Sequence, residues 1–441
     1  MELMNKQNNN KVDNFISTFQ FRIKDSNFKL VKSLFSLSGT VNFVWNYCND
    51  IQQQAVKRNK PWLSSFDLSN LTSGSSKLIG LHSQTVQAVC EEYANKRSQF
   101  KKPFLKFRTN KYHRNLPWIP FKSSAIKFDS KTGSFTFMGL KLKTWYSRKF
   151  PKNAVIKNGS ICCDSTGKWF VNLTFELKFE STQDREDYKL SQTSKGQNLI
   201  AIDPGLNPML TFCIENPEGE LSYEELEPQR LFVKSQAKLG MAQRAKKKKL
   251  TKTIHKKLKN QRKDFHNKLA LKLVRENHSI VNSNISYKIL MKSKLKGHAK
   301  AWQDIGQGYF RSILNNKAAK HNVQYVEVSE RMLLSTQTCS ECKSLTGPKG
   351  RKGLCVSEWE CRVCGTKHNR NENSAKNHLQ HYKQVEANRL NLAEAVLLKT
   401  KPVTLQGIGV SLEESSSFTA GRMSINCSEK HYNFLIKSIK C

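Results

Sequence analysis

Apolar and polar positions alternate from the start of the readable chain. Residues 16–24, Ile-Ser-Thr-Phe-Gln-Phe-Arg-Ile-Lys, follow the period of a half-buried strand. From Leu30 to Lys57 the period lengthens to near 3.6, with Leu34, Leu37, Val41, Val44 and Trp45 on one face, and this predicts a helix. The Ser/Asn/Gly-rich stretch 64–76 reads as a loop, and a second helix is expected over Ser83–Gln99. Residues 125–180 then break into short alternating runs at 125–128, 134–137, 140–142 and 169–175. Asp129, Gly133, Gly139, Asn158-Gly159 and Gly167 punctuate them as hairpin turns. A small barrel closed with the first strand is the expected arrangement, followed by a polar linker at 181–197.

The pattern changes at Asn198. Leu199-Ile200-Ala201-Ile202 is a buried-strand run that ends in Asp203-Pro204-Gly205, and Met209–Ile214 is the returning strand. Residues 229–277, free of Pro and with one Gly, read as one long helix or a helical hairpin. Further elements are a strand at 278–285, an amphipathic helix at 301–321, a strand at Val323–Val328 leading through Ser329-Glu330, and a helix over Ala375–Leu398. The polar stretch 1–14 reads as a disordered leader. Residues 399–441 form a low-pattern tail in which Tyr432–Ile439 adds a last short element.

Charge narrows the function. The 441 residues carry 74 Lys+Arg against 35 Asp+Glu, a formal +39. Self-repulsion at that level opposes folding, so a polyanionic partner is implied, nucleic acid first. Anionic membrane is the rival, but no run of 18 apolar residues exists and no signal peptide opens the chain. A cytoplasmic protein, nucleoid-associated if bacterial, is expected. Basic residues interleave with aromatics at Lys101, Lys102, Phe104 and Arg108, followed by Lys111, His113 and Arg114, a pattern suited to stacking on bases while cations meet phosphates. The alternative there is a solvated segment with Phe anchors. Lys246, Lys247, Lys248, Lys249, Lys256 and Lys257, with Arg262 beyond them, load the helical segment 229–277. Phosphate contact is favoured there over a solvated coiled-coil face.

Twelve cysteines could suggest secretion, yet eight are scattered, which suits a reducing compartment. The other four are Cys339 and Cys342 in one C-x-x-C, and Cys361 and Cys364 in a second, with 18 residues between the pairs. That spacing fits a four-thiolate zinc ribbon whose closed tetrahedral shell is structural. His368 is a fifth candidate ligand, Cys355 a bystander, and Lys349, Arg351 and Lys352 on the loop are placed to touch a target.

The order of these pieces resembles the TnpB proteins encoded by insertion sequences, relatives of the compact type V CRISPR effectors. The matching stretches are Phe19–Arg22 with the helix to Trp45-Asn46-Tyr47, Ile200–Leu206, Arg262–Lys268, Ser335–Cys339 through Trp359–Gly365, and Asn373–Asn377. The resemblance implies an α+β multidomain fold, a split β-barrel with a helical insertion followed by a RuvC-like (RNase H-type) α/β domain with an inserted zinc ribbon. Its bounds would be a barrel at 15–35 and 125–180, a helical recognition insertion at 36–124, a RuvC-like domain at 198–332 and 366–398, and a ribbon at 333–365. The implied partners are guide RNA and double-stranded target DNA, with a homodimer left open.

The resemblance also implies a three-carboxylate site for two hard cations such as Mg²⁺. Asp203 is the first acid. Ser283 stands at the usual Glu position, and Glu330 (or Glu327) on the strand entering the ribbon is the substitute. Asn371 stands where the third acid belongs, and Glu372, one residue along and about 100° around a helix, should point elsewhere. The expectation is therefore an RNA-guided DNA-binding protein with lost or strongly reduced cleavage, acting by target occupancy as a repressor would. The alternatives are an active Mg²⁺-dependent endonuclease of a transposable element with a rearranged triad, or a decaying transposon gene.

Overall fold

The computed structural model describes residues 15–24, 27–109, 116–291, 297–353 and 355–399. The leader 1–14, the cations Lys111, His113 and Arg114, and the tail beyond Lys399 lie outside the described residues. There are two compact units, Met1–Lys383 and Gln384–Cys441, the second described only as helical residues 384–399. No helix among the described residues is long and apolar enough to cross a membrane.

The first unit opens with β1 (Ile16–Ile23), then α1 (Phe28–Lys57), α2 (Ser65–Leu71), α3 (Ser75–Ile79) and α4 (Ser83–Phe100). Seven strands follow: β2 (Trp118–Lys122), β3 (Ile126–Asp129), β4 (Ser134–Phe137), β5 (Leu140–Leu142), β6 (Thr144–Trp145), β7 (Ala154–Cys163) and β8 (Trp169–Leu177). They form a five-stranded sheet, β2-β7-β8-β1-β6, and a three-stranded meander, β3-β4-β5. The first strand joins the later ones as expected, with Phe19 opposite Leu173 and Phe21 opposite Val171. Alternation then turns Phe21, Ile23, Val171 and Leu173 into one core with Phe121, Phe135 and Trp169, and the helical residues Leu34, Val41, Trp45, Val89 and Tyr93 complete it.

The structure differs from the sequence reading in four places here. Residues 64–76 are not a loop but α2 and the start of α3, because Ser64 and Asp67 form a reciprocal capping box. Asn158-Gly159 is not a turn but the middle of β7. A Cβ on Gly159 would lie 2.2 Å from the Asn172 carbonyl oxygen and 2.5 Å from the Phe121 ring, so glycine is there for close approach. The stretch 181–197 is not all linker, since the Ser181 side chain caps α5 (Thr182–Gln192). Strand β2, in the stretch assigned to the helical insertion, pairs with β7 in the sheet.

The second half carries β9 (Asn198–Pro204), β10 (Leu210–Glu215), β11 (Leu221–Leu226), α6 (Leu231–Arg244), α7 (Lys248–Glu276), β12 (Asn277–Ser283), α8 (Tyr287–Leu290), α9 (His298–Ile305), α10 (Gln307–Lys320) and β13 (Gln324–Val328). After it come α11 (Glu330–Leu333), α12 (Gly350–Gly353), β14 (Glu358–Glu360), β15 (Lys367–Asn369) and α13 (Arg370–Lys399). Of the two forms open for 229–277, the hairpin α6–α7 is present. The helix expected over 301–321 is divided at Gly306, whose φ of +71° ends α9.

The sheet order is β11-β10-β9-β12-β13. β10 runs antiparallel to both β9 and β11, while β12 is parallel to both β9 and β13. Its two faces are covered differently. Ile200, Ile202, Phe212 and Ile280 pack against Leu273 and Val274 of α7 and Phe310 and Leu314 of α10. Leu199, Ala201, Val281 and Val328 pack against Ala375, Leu379 and Tyr382 of α13.

Candidate functional site

Strand periodicity delivers the acids to α13. Successive side chains of β9 alternate faces, so Asp203 follows Leu199 and Ala201 toward that helix. By the same rule Ser283 follows Val281 on β12. Glu330, two residues past Val328, opens the single-turn α11 at the end of β13. The two candidate second acids, Glu330 and Glu327, have different surroundings. Glu327 lies 3.6 Å from Arg311 Nε and accepts from Tyr325, whereas Glu330 reaches the α13 side.

There the side chains form a chain of contacts. Ser374 neighbours Asp203 and favours its carboxylate form, and its Oγ lies 2.6 Å from Ser335 Oγ. Ser335 donates to Glu330 Oε1 through both its hydroxyl and its backbone N–H, the latter at 3.1 Å. Glu330 Oε2 accepts from His378 Nε2 at 2.9 Å and from the Ser283 hydroxyl at 3.5 Å. Loss of water around Asp203, together with the Glu330 charge, raises its pKa to about 6, although His378, Ser374 and Arg370 pull it down. Burial alone would raise Glu330 as well, but the hydrogen bonds from His378 and Ser335 bring it below its ordinary value.

Asn371 is not part of that chain. Asn369 caps the start of α13, its Oδ1 accepting from the backbone N–H of Asn371 and Glu372. Asn371 Nδ2 then lies 3.5 Å from Glu225 Oε1. Glu225 shares a sheet row with Asp203, both opposite Thr211. Burial, together with the Glu225 charge, raises the pKa of Glu372. The neighbouring amides belong to the ribbon's attachment. Asn373 and Asn377, one helical turn apart, both donate to the Ser335 and Thr338 carbonyls, and Asn373 also accepts from the Ser340 N–H.

The four cysteines converge. All four sulfurs lie within 4.8 Å of one another, with Cys339–Cys364 at 3.7 Å and Cys342–Cys361 at 3.6 Å. Zinc–sulfur bonds of about 2.3 Å set tetrahedral edges of about 3.8 Å, so the residues fit structural zinc. The two knuckles repeat one pattern. Cys339 O accepts from Lys343 N and Cys339 N donates to Ser344 O, and Cys361 does the same with Gly365 and Thr366. Lys343 and Gly365 both adopt a left-handed φ, of +63° and +71°. His368 stands beside this shell, with Nε2 3.1 Å from Cys339 Sγ and its ring against Trp359. Cys355 is exposed and apart.

The cation candidates divide. Lys102, Phe104, Arg108 and Lys256 line one groove of about 1640 Å³ among the end of α4, β1, β2, the β7–β8 turn and α7. Lys252, Lys259 and Lys263 of α7 line it too. Lys256 ion-pairs with Asp164 in the β7–β8 turn, and the Arg108 guanidinium lies between the Trp45 and Trp118 rings. Lys101 and Lys257 are exposed outside the lining, and Lys246, Lys247, Lys248 and Lys249 are exposed at the α6–α7 turn. Arg262 is engaged internally, with Nη2 2.9 Å from Asp304 Oδ1.

Sequence reasoning missed Ser335, Ser374, His378 and Glu225. Apart from the five residues between Ser335 and Glu330, their contacts span 39 to 146 positions, which no local pattern reveals.

Residues 176–294 match the family model described as "Probable transposase" (OrfB_IS605), and residues 308–378 match "Cas12f1-like, TNB domain". A Streptomyces pristinaespiralis protein named "Putative RNA-guided DNA endonuclease" is 29% identical over 238 residues, 53% of this chain and 54% of that protein. "TnpB-like protein L79" of Acanthamoeba polyphaga mimivirus is 28% identical over 276 residues, 54% of this chain and 51% of that one. The chain spans about half the length of the curated relatives it matches. The protein in a solved Cas12f1–sgRNA–target DNA complex shares the fold, with a TM-score of 0.51 at 13% identity over 80% of this chain and 83% of that one.

Proposed function

We infer, for a chain of the TnpB/OrfB_IS605 type with a Cas12f-like TNB domain, that it is an RNA-guided DNA endonuclease whose cleavage site is rearranged around Asp203 and Glu330. The carrying observation is that β9 and the end of β13, remote in sequence, bring these two acids together at the start of α13, where Ser335 joins Glu330 to Ser374 and the Glu330 charge acts on Asp203. The strand order, with β10 antiparallel to both its neighbours and β9, β12 and β13 parallel, supports the reading of this half as RuvC-like. Guide RNA and double-stranded target DNA are the partners, with the lysine-lined groove of α7 as their backbone contact.

The donor set suits a hard divalent cation such as Mg²⁺, since Asp203 and Glu330 offer carboxylate oxygens and the Glu330 charge bears on Asp203. When bound, such a cation supplies an activated water and stabilises the leaving oxygen. The chain's own contribution is orientation. Ser335 occupies Glu330 Oε1 through two donors, and Ser374 beside Asp203 favours its charged form.

A second reading is favoured by Asn371. Its neutral amide faces Glu225 and adds no charge beside Asp203, so cleavage would be lost or strongly reduced and the protein would act by occupying its target. One preparation separates the two. The full chain is purified with co-expressed RNA, the bound RNA is sequenced, and plasmids matching it are offered with Mg²⁺. Guided binding with cleavage is expected. Binding of matched plasmid without cleavage supports occupancy, and binding that ignores the RNA sequence contradicts both readings.

A further inference from the structure

We propose that His378 is the positioning residue of the acid site, holding Glu330 in the orientation from which it takes a divalent cation. The inference rests on the reading of Asp203 and Glu330 as cation-binding acids. His378 is fully buried, on the face of α13 that also carries Ala375, Leu379 and Tyr382, where an apolar side chain would pack without cost. It sits one helical turn after Ser374, so the two polar residues of that face reach the two acids, Ser374 toward Asp203 and His378 toward Glu330.

The tautomer follows from the partners. Nε2 lies 2.9 Å from Glu330 Oε2, while Nδ1 has no hydrogen-bond partner among the described residues. A lone pair on Nε2 would face a carboxylate oxygen, so Nε2 carries the hydrogen and donates. Glu330 needs this support because its backbone gives little, α11 being four residues long and ending in left-handed Leu334. Each oxygen has two donors, but those on Oε2 hold it less fully, the Ser283 contact being 3.5 Å. Ser335 fills Oε1 with two, whereas Oε2 holds His378 and the long contact from Ser283. Oε2 therefore keeps lone-pair capacity for a cation, with its direction set by the imidazole.

Mn²⁺ titration of the zinc-loaded full chain, read by electron paramagnetic resonance, tests this without cleavage. The parent protein is expected to bind Mn²⁺ at a site removed by Asp203→Asn. His378→Leu should weaken that site by about tenfold, the scale of lost outer hydrogen bonds to metal ligands. His378→Gln, whose amide can still donate to Glu330, should recover most of the loss. Unchanged Mn²⁺ affinity in His378→Leu, or equal weakening in His378→Leu and His378→Gln, would overturn the positioning role. So would a directly coordinated imidazole nitrogen in the pulsed spectrum. No Asp203-dependent Mn²⁺ signal in the parent would overturn the cation-binding reading itself, and the role of His378 with it.

Discussion

In the ribbon, four sulfurs come from two knuckles that repeat one hydrogen-bond pattern, whereas the acid site draws Asp203 from β9, Glu330 and Ser335 from the segment after β13, and His378 from α13. The ribbon's ligands are encoded by local spacing, and each knuckle shapes itself. The acid site is encoded by register, and each member depends on strands and a helix far away in sequence. Such a site can exchange one acid for another wherever a neighbouring segment reaches the same place. Ser283 and Glu330 illustrate this, because they touch across adjacent parallel strands. The four-thiolate shell has His368 beside it, but on the same short ribbon rather than from a distant segment.

This contrast predicts that metal removal is the largest perturbation. Stripping zinc with a chelator, or Cys361→Ser, should lose the ribbon fold and free the start of α13. Structural zinc contributes on the order of 10 kcal/mol in small zinc domains. Zinc content and limited proteolysis near residues 335–378 read this out. A ribbon that stays protease-resistant without zinc would break the contrast.

Restoring charge should act on the acid site alone. Asn371→Asp is expected to raise the guided cleavage rate by about tenfold or more while zinc content stays constant. An unchanged rate would mean that position 371, turned toward Glu225, no longer belongs to the site.

The smallest effect is a pH dependence. Asp203 has its folded pKa raised to about 6, so it favours the folded protein at low pH and loses that contribution as pH rises through about 6. Without divalent cation, Asp203→Asn should raise the melting temperature more at pH 7.5 than at pH 4.5, by a few degrees. With Mn²⁺ the order reverses in the parent, because a protonated Asp203 is a poor ligand below about pH 6. A difference between parent and variant that does not vary with pH would remove Asp203 from this account.

What the chain's pattern revealed follows the same division. The ribbon ligands, Asp203 at a strand end and the strands β1, β9 and β13 were readable because spacing and alternation are local. Glu330 was readable only beside a family resemblance. The capping box of Ser64 and Asp67 was present in the sequence, but a Ser/Asn/Gly-rich composition outweighed it. Gly159 looked like a turn because its reason, the Asn172 carbonyl and the Phe121 ring, lies on other strands. His378 had no local sign, for its partner Glu330 is 48 residues earlier. Arg262 was counted among nucleic-acid contacts by charge alone, while Asp304 holds it internally.

The most direct test exchanges the two touching positions. Guided plasmid cleavage is measured for the parent chain, for Glu330→Gln, and for the double variant Ser283→Glu/Glu330→Ser. The rearranged site predicts cleavage by the parent, a loss of at least about 100-fold in Glu330→Gln, and partial recovery in the exchange, where the acid re-enters from the adjacent strand. Parent-like cleavage by Glu330→Gln would contradict the account. So would a parent that leaves the plasmid whole while Asn371→Asp cuts it.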